Sequence, residues 1–519
     1  MMHEKITSRF LRHPVIVIAI LCMIFWFIDS IPFAKEVVTG NRLLLLAGVL
    51  LGYLLYYGTK IYQKTLTERQ ILIGIFLASI LIRGMLVLLS AYNSNQHDTH
   101  FFVAWGENQV GSGHFGYIQY LLEYKKLPDF DPRSSWSFYN PPLHHIVCAL
   151  FIAGNRLLGL GYEACAENLQ ILTLFWSSMT IYVMYRILQE FSLKKRVLCL
   201  AFGVLALHPI FAILSLSLNN DCLATLFSAT AILYTIRWYK NHRFRYLLCI
   251  AFAVGWGMMT KVSVGLIAPA IALVFLAVLI KERKEWKRLF TQFGGFGLVC
   301  IPLGLAWPIR QKLLFDLPFN YVQPLNKVDM WQYVGDYGVW QRLKPSISSV
   351  LQHPWYTGLP ENQHQIWQEM FRTSLFDEWT FQLPQGIYIS LAKVLVLLGI
   401  MLGLVTTVLF LRVLLQKGSM DGTMKALCAV CYGSLLFFFV KFCFDYPYIC
   451  TMNFRYIVIT LLFPVLGTGI WMNEKHKKHP GAAVVQIGQI LFIVLSLAFL
   501  LSYCLLYGQS EIQTMMMPK

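Results

Sequence analysis

Charge is what this sequence has least of. Asp, Glu, Lys and Arg together make up 13% of its 519 residues, whereas apolar residues make up 57% and mean hydropathy is +0.57. A soluble domain of this length needs more charge to cover its surface, so a soluble enzyme with a membrane tail is excluded. Acids are the scarcer sign, 26 against 43 basic residues, which leaves a formal charge of +17. The basic excess is not gathered on one face with interleaved aromatics, which excludes a nucleic-acid surface. The 12 cysteines show no zinc-ligand spacing with histidine. Cys22, Cys148, Cys199, Cys249, Cys300 and Cys431 sit inside apolar blocks, as small core residues do. A disulfide between Cys443 and Cys450 is the pairing left open. A clear repeat, a low-complexity tract and a soluble terminal domain are also missing, and with them the inverted halves of many transporters.

What the chain has instead is apolar blocks of about 18–25 residues, the length a helix needs to cross the ~30 Å hydrocarbon layer with its backbone bonded internally. Thirteen spans are expected, at 14–34, 41–57, 70–92, 167–188, 197–217, 221–238, 246–260, 263–280, 293–309, 387–411, 424–441, 456–472 and 484–507. The first follows Lys5, Arg9 and Arg12 and is read as an uncleaved span rather than a signal peptide, because it is long and lacks a small-residue cleavage pattern. With the N-terminus cytoplasmic, the segments 1–13, 58–69, 186–196, 237–245, 281–288, 412–425 and 473–479 fall on one side and carry 25 of the 43 basic residues.

A further apolar segment, 142–158, would invert that pattern if it crossed. It is therefore expected to be a re-entrant or interfacial helix, starting at Pro141-Pro142. The fold class is all-α integral membrane protein, with two N-terminal membrane helices (1–69), a core (70–310) containing the first external segment (93–166), a second long external segment (311–386) and C-terminal membrane helices (387–519). Both external segments are rich in Trp, Tyr, His and Pro, and ordered loops on one face are where such a protein does its work.

The first external segment opens Asn93-Ser94-Asn95-Gln96-His97-Asp98, so Asp98 stands where the third span leaves the bilayer. An amphipathic stretch from His114 to Lys126 follows, then a Pro/Asp turn, then Tyr139-Asn140-Pro141-Pro142-Leu143-His144-His145. Further on come Asn219-Asn220-Asp221 between two spans, a span ending Arg237-Trp238, Met259-Thr260-Lys261 near an outer end, and Asn453-Phe454-Arg455-Tyr456 opening a late span. This ordered set resembles the GT-C membrane glycosyltransferases. The nearest likeness is to the glycosyltransferase family 39-like branch, which includes protein O-mannosyltransferases and the aminoarabinose transferases that act on lipid A. The likeness is good over 70–310 and looser elsewhere.

The resemblance implies a GT-C fold of about 13 transmembrane helices whose two external loops carry juxtamembrane helices, with 70–310 as catalytic core. It also implies inverting transfer of a sugar from a polyprenyl-phosphate donor to a glycan, lipid or protein acceptor at the outer face. In those terms Asp98 is the expected base. Asp221 is a second carboxylate that orients the acceptor or helps hold a metal, and Lys261 and Arg455 are phosphate partners. The chemistry suits these residue types: a carboxylate can take the acceptor proton, and a departing phosphate gains charge that cations offset. His97, Tyr139, His144 and His145 are expected to bind substrate or shape the site. The chain departs from the familiar branch where Asp98 is followed by Thr99 instead of an acid, which leaves metal dependence open. A divalent metal would draw on His97, His100, His114, His144 and His145.

Bland roles compete with each of these. Asp221 can be a helix cap, Lys261 and Arg455 can snorkel to the headgroups, and paired histidines can be satisfied interfacial residues. Two other functions stay in view: a ligase or polymerase that moves a glycan from a polyprenyl-diphosphate, and a transporter or lipid flippase. The first calls for a denser set of external cations. The second is favoured by Arg83, a charge inside the third span expected to pair structurally with Asp29. The expected location is the plasma membrane of a bacterium, with no retention signal legible near Lys519.

Overall fold

The computed structural model describes residues 13–92, 111–324, 332–355, 363–378 and 386–478. Among them the chain is helical, apart from one isolated bridge between Tyr333 and Tyr448. Each of the first twelve expected spans contains a helix, and the thirteenth lies outside the described residues. Among the described residues, nine helices are long and apolar enough to cross a membrane, or ten if a bent N-terminal pair counts as one.

The bend is a departure from expectation. α1 (Pro14–Ser30) stops at Ile31, and α2 (Pro32–Gly40) leaves it at 101°, because Pro32 lacks the N–H that would continue the helix and keeps Ile31 extended. The expected span 197–217 is interrupted in the same way, as α8 (Lys195–Leu207) and α9 (Pro209–Leu216) meet at His208 and Pro209.

α3 (Arg42–Tyr62) buries no residue of its own and leans on α4 (Glu68–Leu89), with the Tyr53 and Tyr57 hydroxyls donating to the carbonyls of Gly74 and Gln70. α4 starts with a capping box between Thr67 and Gln70. The centre of the bundle is α7 (Leu169–Gln189), α8, α9 and α10 (Asp221–Asn241), flanked by α11 (Phe244–Met258), α12 (Ala268–Lys281) and the long α13 (Trp286–Phe315).

The two ends of the bundle differ in chemistry. At one, the basic segments are tied together. Glu190 takes Arg237 and Lys240, His242 meets Glu282, Tyr239 donates to Asp421, and the backbone N–H of Lys194 donates to Asn473. The short connections 217–221 and 259–261 lie at the opposite end, which gathers the first external segment. α5 (Gly113–Tyr124) and α6 (Leu143–Leu157) pack there on each other. Both ends of α6 stay at this level: the Leu143 N–H donates to the Met259 carbonyl, and Asn155 accepts from Trp26 near the C-terminus of α1. At 15 residues it is short for a span, in keeping with an interfacial helix.

Arg83 is fully buried in α4 and does not pair with Asp29. Its guanidinium donates to the Ser79 carbonyl and to Ser177 Oγ, while Asp29 takes Lys35 at 2.8 Å. Lys35, in the first turns of α2, reaches back to Asp29, and α4 and α7 supply oxygens within reach of the guanidinium. The charge that favours a transporter is thus held by hydrogen bonds to α4 and α7. Cys443 and Cys450 form no disulfide, and Cys443 Sγ instead donates to the Thr451 carbonyl. Cys428 and Cys431 have the Cys-x-x-Cys spacing, yet both are buried thiols inside α16 (Gly422–Asp445).

Candidate functional site

Three residues far apart in sequence meet at the end that carries the first external segment. Asp221 is the first residue of α10, its backbone N–H bonded to Asn219 Oδ1. Its carboxylate takes the Lys261 ammonium on one oxygen, and the other lies 3.8 Å from Arg455 Nε. Lys261 stands in the break between α11 and the short 3-10 turn Val262–Ile267 that leads into α12. Arg455 sits on the 3-10 turn Phe454–Leu461, before α17 (Leu462–Lys478). The side chains of Asp221 and Arg455 are each 5% exposed and that of Lys261 is 19% exposed.

Tyr456 supports both cations. Its ring lies under Lys261 Nζ at 4.6 Å and under the Arg455 guanidinium at 4.8 Å, and its hydroxyl accepts from Arg455 Nη2 at 2.8 Å. Two cations thus stand side by side on one carboxylate and one ring at a partly dry position, an arrangement that suits an anionic ligand.

The backbone around this group is pinned by amides. Asn220 Nδ2 donates to the Thr260 carbonyl at 2.9 Å and to Asn140 Oδ1 at 3.3 Å, joining the connections that carry Asp221 and Lys261 to the Pro-Pro turn. His144 Nε2–H donates to the Leu218 carbonyl at 2.7 Å, three residues before Asp221. His145 Nε2 and His114 Nδ1 share a proton across 2.9 Å, and the His145 ring stacks on Tyr117 at 4.2 Å. All three histidines are buried. Burial brings His144 down to about 4 and pushes His114 and His145 well below the usual imidazole range, because a charged ring there loses its water. They are neutral at pH 7 and act as packing and hydrogen-bonding groups.

Tyr139 shapes the neighbouring wall. Its carbonyl accepts from Trp307 Nε1 and its ring meets Tyr321 edge-on. Asp98 and His97 lie outside the described residues, so the expected base is untouched by this geometry. Among the described residues, no group of three or more His, Cys, Asp or Glu is arranged to hold a metal ion.

The structure therefore brings Asp221, Lys261 and Arg455 together and sets His144 and Tyr139 in the supporting wall. It adds Asn140, Asn220, Tyr456 and Asn453, whose Oδ1 accepts the Arg455 backbone N–H at 2.9 Å; all four fall within the motifs read from the sequence, with no role given to them there. Tyr456 and Asn453 had a signal, since they flank Arg455 in a polar run before an apolar span. The two asparagines had none beyond their helix-cap character.

Residues 144–307 match the profile of the dolichyl-phosphate-mannose-protein mannosyltransferase family, a stretch that includes Asp221 and Lys261. No curated protein sequence matches the chain. Among solved structures, the archaeal oligosaccharyltransferase AglB from Archaeoglobus fulgidus, in complex with an inhibitory peptide and a dolichol-phosphate, aligns at 14% identity with a TM-score of 0.49. That alignment covers 85% of this chain and 56% of AglB, so the chain spans little more than half the length of that protein. ArnT from Cupriavidus metallidurans, bound to undecaprenyl phosphate, aligns at 12% identity over 84% of this chain and 77% of its own, with a TM-score of 0.35.

Proposed function

We propose that this chain, whose residues 144–307 match the dolichyl-phosphate-mannose-protein mannosyltransferase family, is a membrane glycosyltransferase of the GT-C type that transfers a sugar from a polyprenyl-phosphate donor to an acceptor with inversion. The observation that carries the reading is the Asp221–Lys261–Arg455 group, two cations fixed by one carboxylate at the end of a membrane bundle. The family matched over 144–307 is named for a dolichyl-phosphate sugar, a donor whose lipid stays in the bilayer while its phosphate lies at the depth of a helix end.

In the reaction the acceptor oxygen attacks the anomeric carbon as the bond from that carbon to the phosphate oxygen breaks. The electron pair of the broken bond goes to the phosphate, and Lys261 and Arg455 offset its growing charge. Asp221 keeps both cations aimed, since two unpaired long side chains would otherwise sample many rotamers. Asp98 is the proposed base that takes the acceptor proton. Asn140, Asn220 and His144 hold the connections on which the charged groups ride.

The acceptor is a glycan, a lipid or a protein, and membrane lipid surrounds the bundle. The end carrying the site faces outward and the basic segments and N-terminus face the cytoplasm of a bacterial plasma membrane, in line with the positive-inside rule.

The test is a transfer assay on the purified full chain with short-chain polyprenyl-phosphate sugars, following release of polyprenyl phosphate. Turnover whose use of donor weakens on Lys261→Ala supports the reading. A folded protein that turns over no monophosphate donor, yet acts on a polyprenyl-diphosphate glycan, would replace it with the ligase reading.

A further inference from the structure

Asp377 closes α14 (Ile366–Phe376), in the second external segment, with a backbone that side chains avoid. Its φ of 56° and ψ of −156° fall in a region open almost only to glycine. The residue is nonetheless fully buried, and its carboxylate accepts a 2.8 Å hydrogen bond from Asn453 Nδ2. The same amide nitrogen donates to Glu378 Oε1 at 2.8 Å, while Asn453 Oδ1 accepts the Arg455 backbone N–H at 2.9 Å. From the same helix, Thr373 Oγ1 accepts the N–H of Phe454 at 2.9 Å. Strain of this kind persists only where the surroundings over-determine it, and it gathers at functional sites. Here the surroundings are the turn 453–455, whose last side chain is the cation facing Asp221.

We propose that the Asp377–Asn453 contact is a latch through which the second external segment aims Arg455 at the donor phosphate. Both members are positioning residues. The inference rests on the sugar-phosphate reading of the Asp221–Lys261–Arg455 group and deepens it. Arg455 stands on a 3-10 turn with a non-helical residue, Ile457, inside it, so no regular helix sets its direction. An amide can donate twice from nitrogen and accept on oxygen at once, which is what Asn453 does; a carboxylate at that position could not donate at all. The latch thereby joins the two halves of the site. The last turn of α14 together with Asp377 and Glu378 holds the turn 453–455, and Arg455 reaches across to Asp221.

The experiment measures binding of a short-chain polyprenyl monophosphate to the full chain in nanodiscs, together with donor KM and kcat. Asp377→Gly relieves the backbone, so a purely structural role predicts equal or higher stability with binding retained. The latch predicts that stability holds while binding weakens about tenfold, a loss of about 1.4 kcal/mol, and donor KM rises with kcat nearly unchanged. Asp377→Asn keeps the acceptor oxygen and is expected to bind like wild type. In an Arg455→Ala background, Asp377→Gly is expected to add nothing. Wild-type binding by Asp377→Gly, or a loss that adds to that of Arg455→Ala, overturns the latch. A wild-type chain that binds no polyprenyl monophosphate overturns the sugar-phosphate reading itself.

Discussion

Asp221 and Lys261 touch although the whole of α10 and α11 separates them in the chain. The helices run down and back as a hairpin, and its open end brings the first residue of one beside the residue just past the other. Two charges thus meet where the bundle surfaces, and Arg455 arrives from a third, much later element. A snorkelling lysine would point along the helix towards headgroups; this one is held inward by a carboxylate and a tyrosine ring.

Lys261→Ala removes one of two cations from the proposed phosphate site. Donor KM is expected to rise at least about tenfold, in the range measured for loss of a charge-assisted hydrogen bond. Asp221→Asn changes the site differently, because it leaves both cations and one less negative charge. Donor binding is expected to hold or tighten while kcat falls by about a hundredfold through lost aim. Steady-state kinetics on the two variants separates these effects; equal loss of kcat and KM in both would argue against distinct roles.

Asp98→Asn tests the base. Transfer is expected to fall by about 10²–10⁴-fold, the usual worth of a positioned general base, while thermal stability and polyprenyl-phosphate binding stay at wild-type levels. Normal turnover by this variant would move the base to another carboxylate, with Glu378 the first to examine because Asn453 holds it close to Arg455.

Much of the architecture was legible because lipid imposes it. Apolar runs of span length and basic clusters between them have few alternative explanations. The charge pattern also argues against a crossing at 142–158, where hydropathy alone would draw another span, and the 15-residue helix there fits that reading. The contacts were harder to read. Arg83 was expected beside Asp29 because both are charges in the membrane, but periodicity says nothing about rotation between helices, and the guanidinium found serines instead. The grouping of Asp221, Lys261 and Arg455 was suggested by the family resemblance and by their common level at helix ends, not by any spacing in the chain. Asn220 and Asn140 could not be recognised, since their role comes from backbone carbonyls that only the fold supplies. Asp377-Glu378-Trp379 can be read from the sequence as lining an acceptor groove, but not the backbone of Asp377, because a strained φ leaves no mark in the sequence when the residue is not glycine.

Glu369 and Arg372 form an ion pair in α14 with side chains 1% and 0% exposed, and Gln363 Nε2 donates to the same carboxylate. Removing one partner leaves a buried charge. Glu369→Ala is therefore expected to cost about 3–5 kcal/mol, whereas replacing both with apolar residues of similar volume, as in Glu369→Leu with Arg372→Met, is expected to recover most of the loss. Denaturation of the three proteins in detergent provides the comparison. If the double variant is as unstable as the single one, α14 depends on the pair itself for its docking.

The buried histidines make the first external segment acid-sensitive. Their folded-state affinities for protons lie below the ordinary imidazole value, at about 4 for His144 and well below 6.5 for His114 and His145. Unfolding lets each ring bind a proton, so the unfolded state holds more protons than the folded one as soon as pH falls below about 6.5. The stability these groups contribute is complete above that pH. It is lost progressively as pH drops towards 4, at about 1.4 kcal/mol per pH unit for each ring that titrates. The positive neighbours Lys261 and Arg455 add to the effect at His114. The melting temperature of the wild-type chain is thus expected to be flat from pH 8 to 7 and to fall steeply below 6. His145→Phe, which keeps the stacking on Tyr117 and removes a titrating ring, should flatten that fall even if it lowers the plateau. An unchanged slope in that variant would assign the acid sensitivity to groups outside α5 and α6.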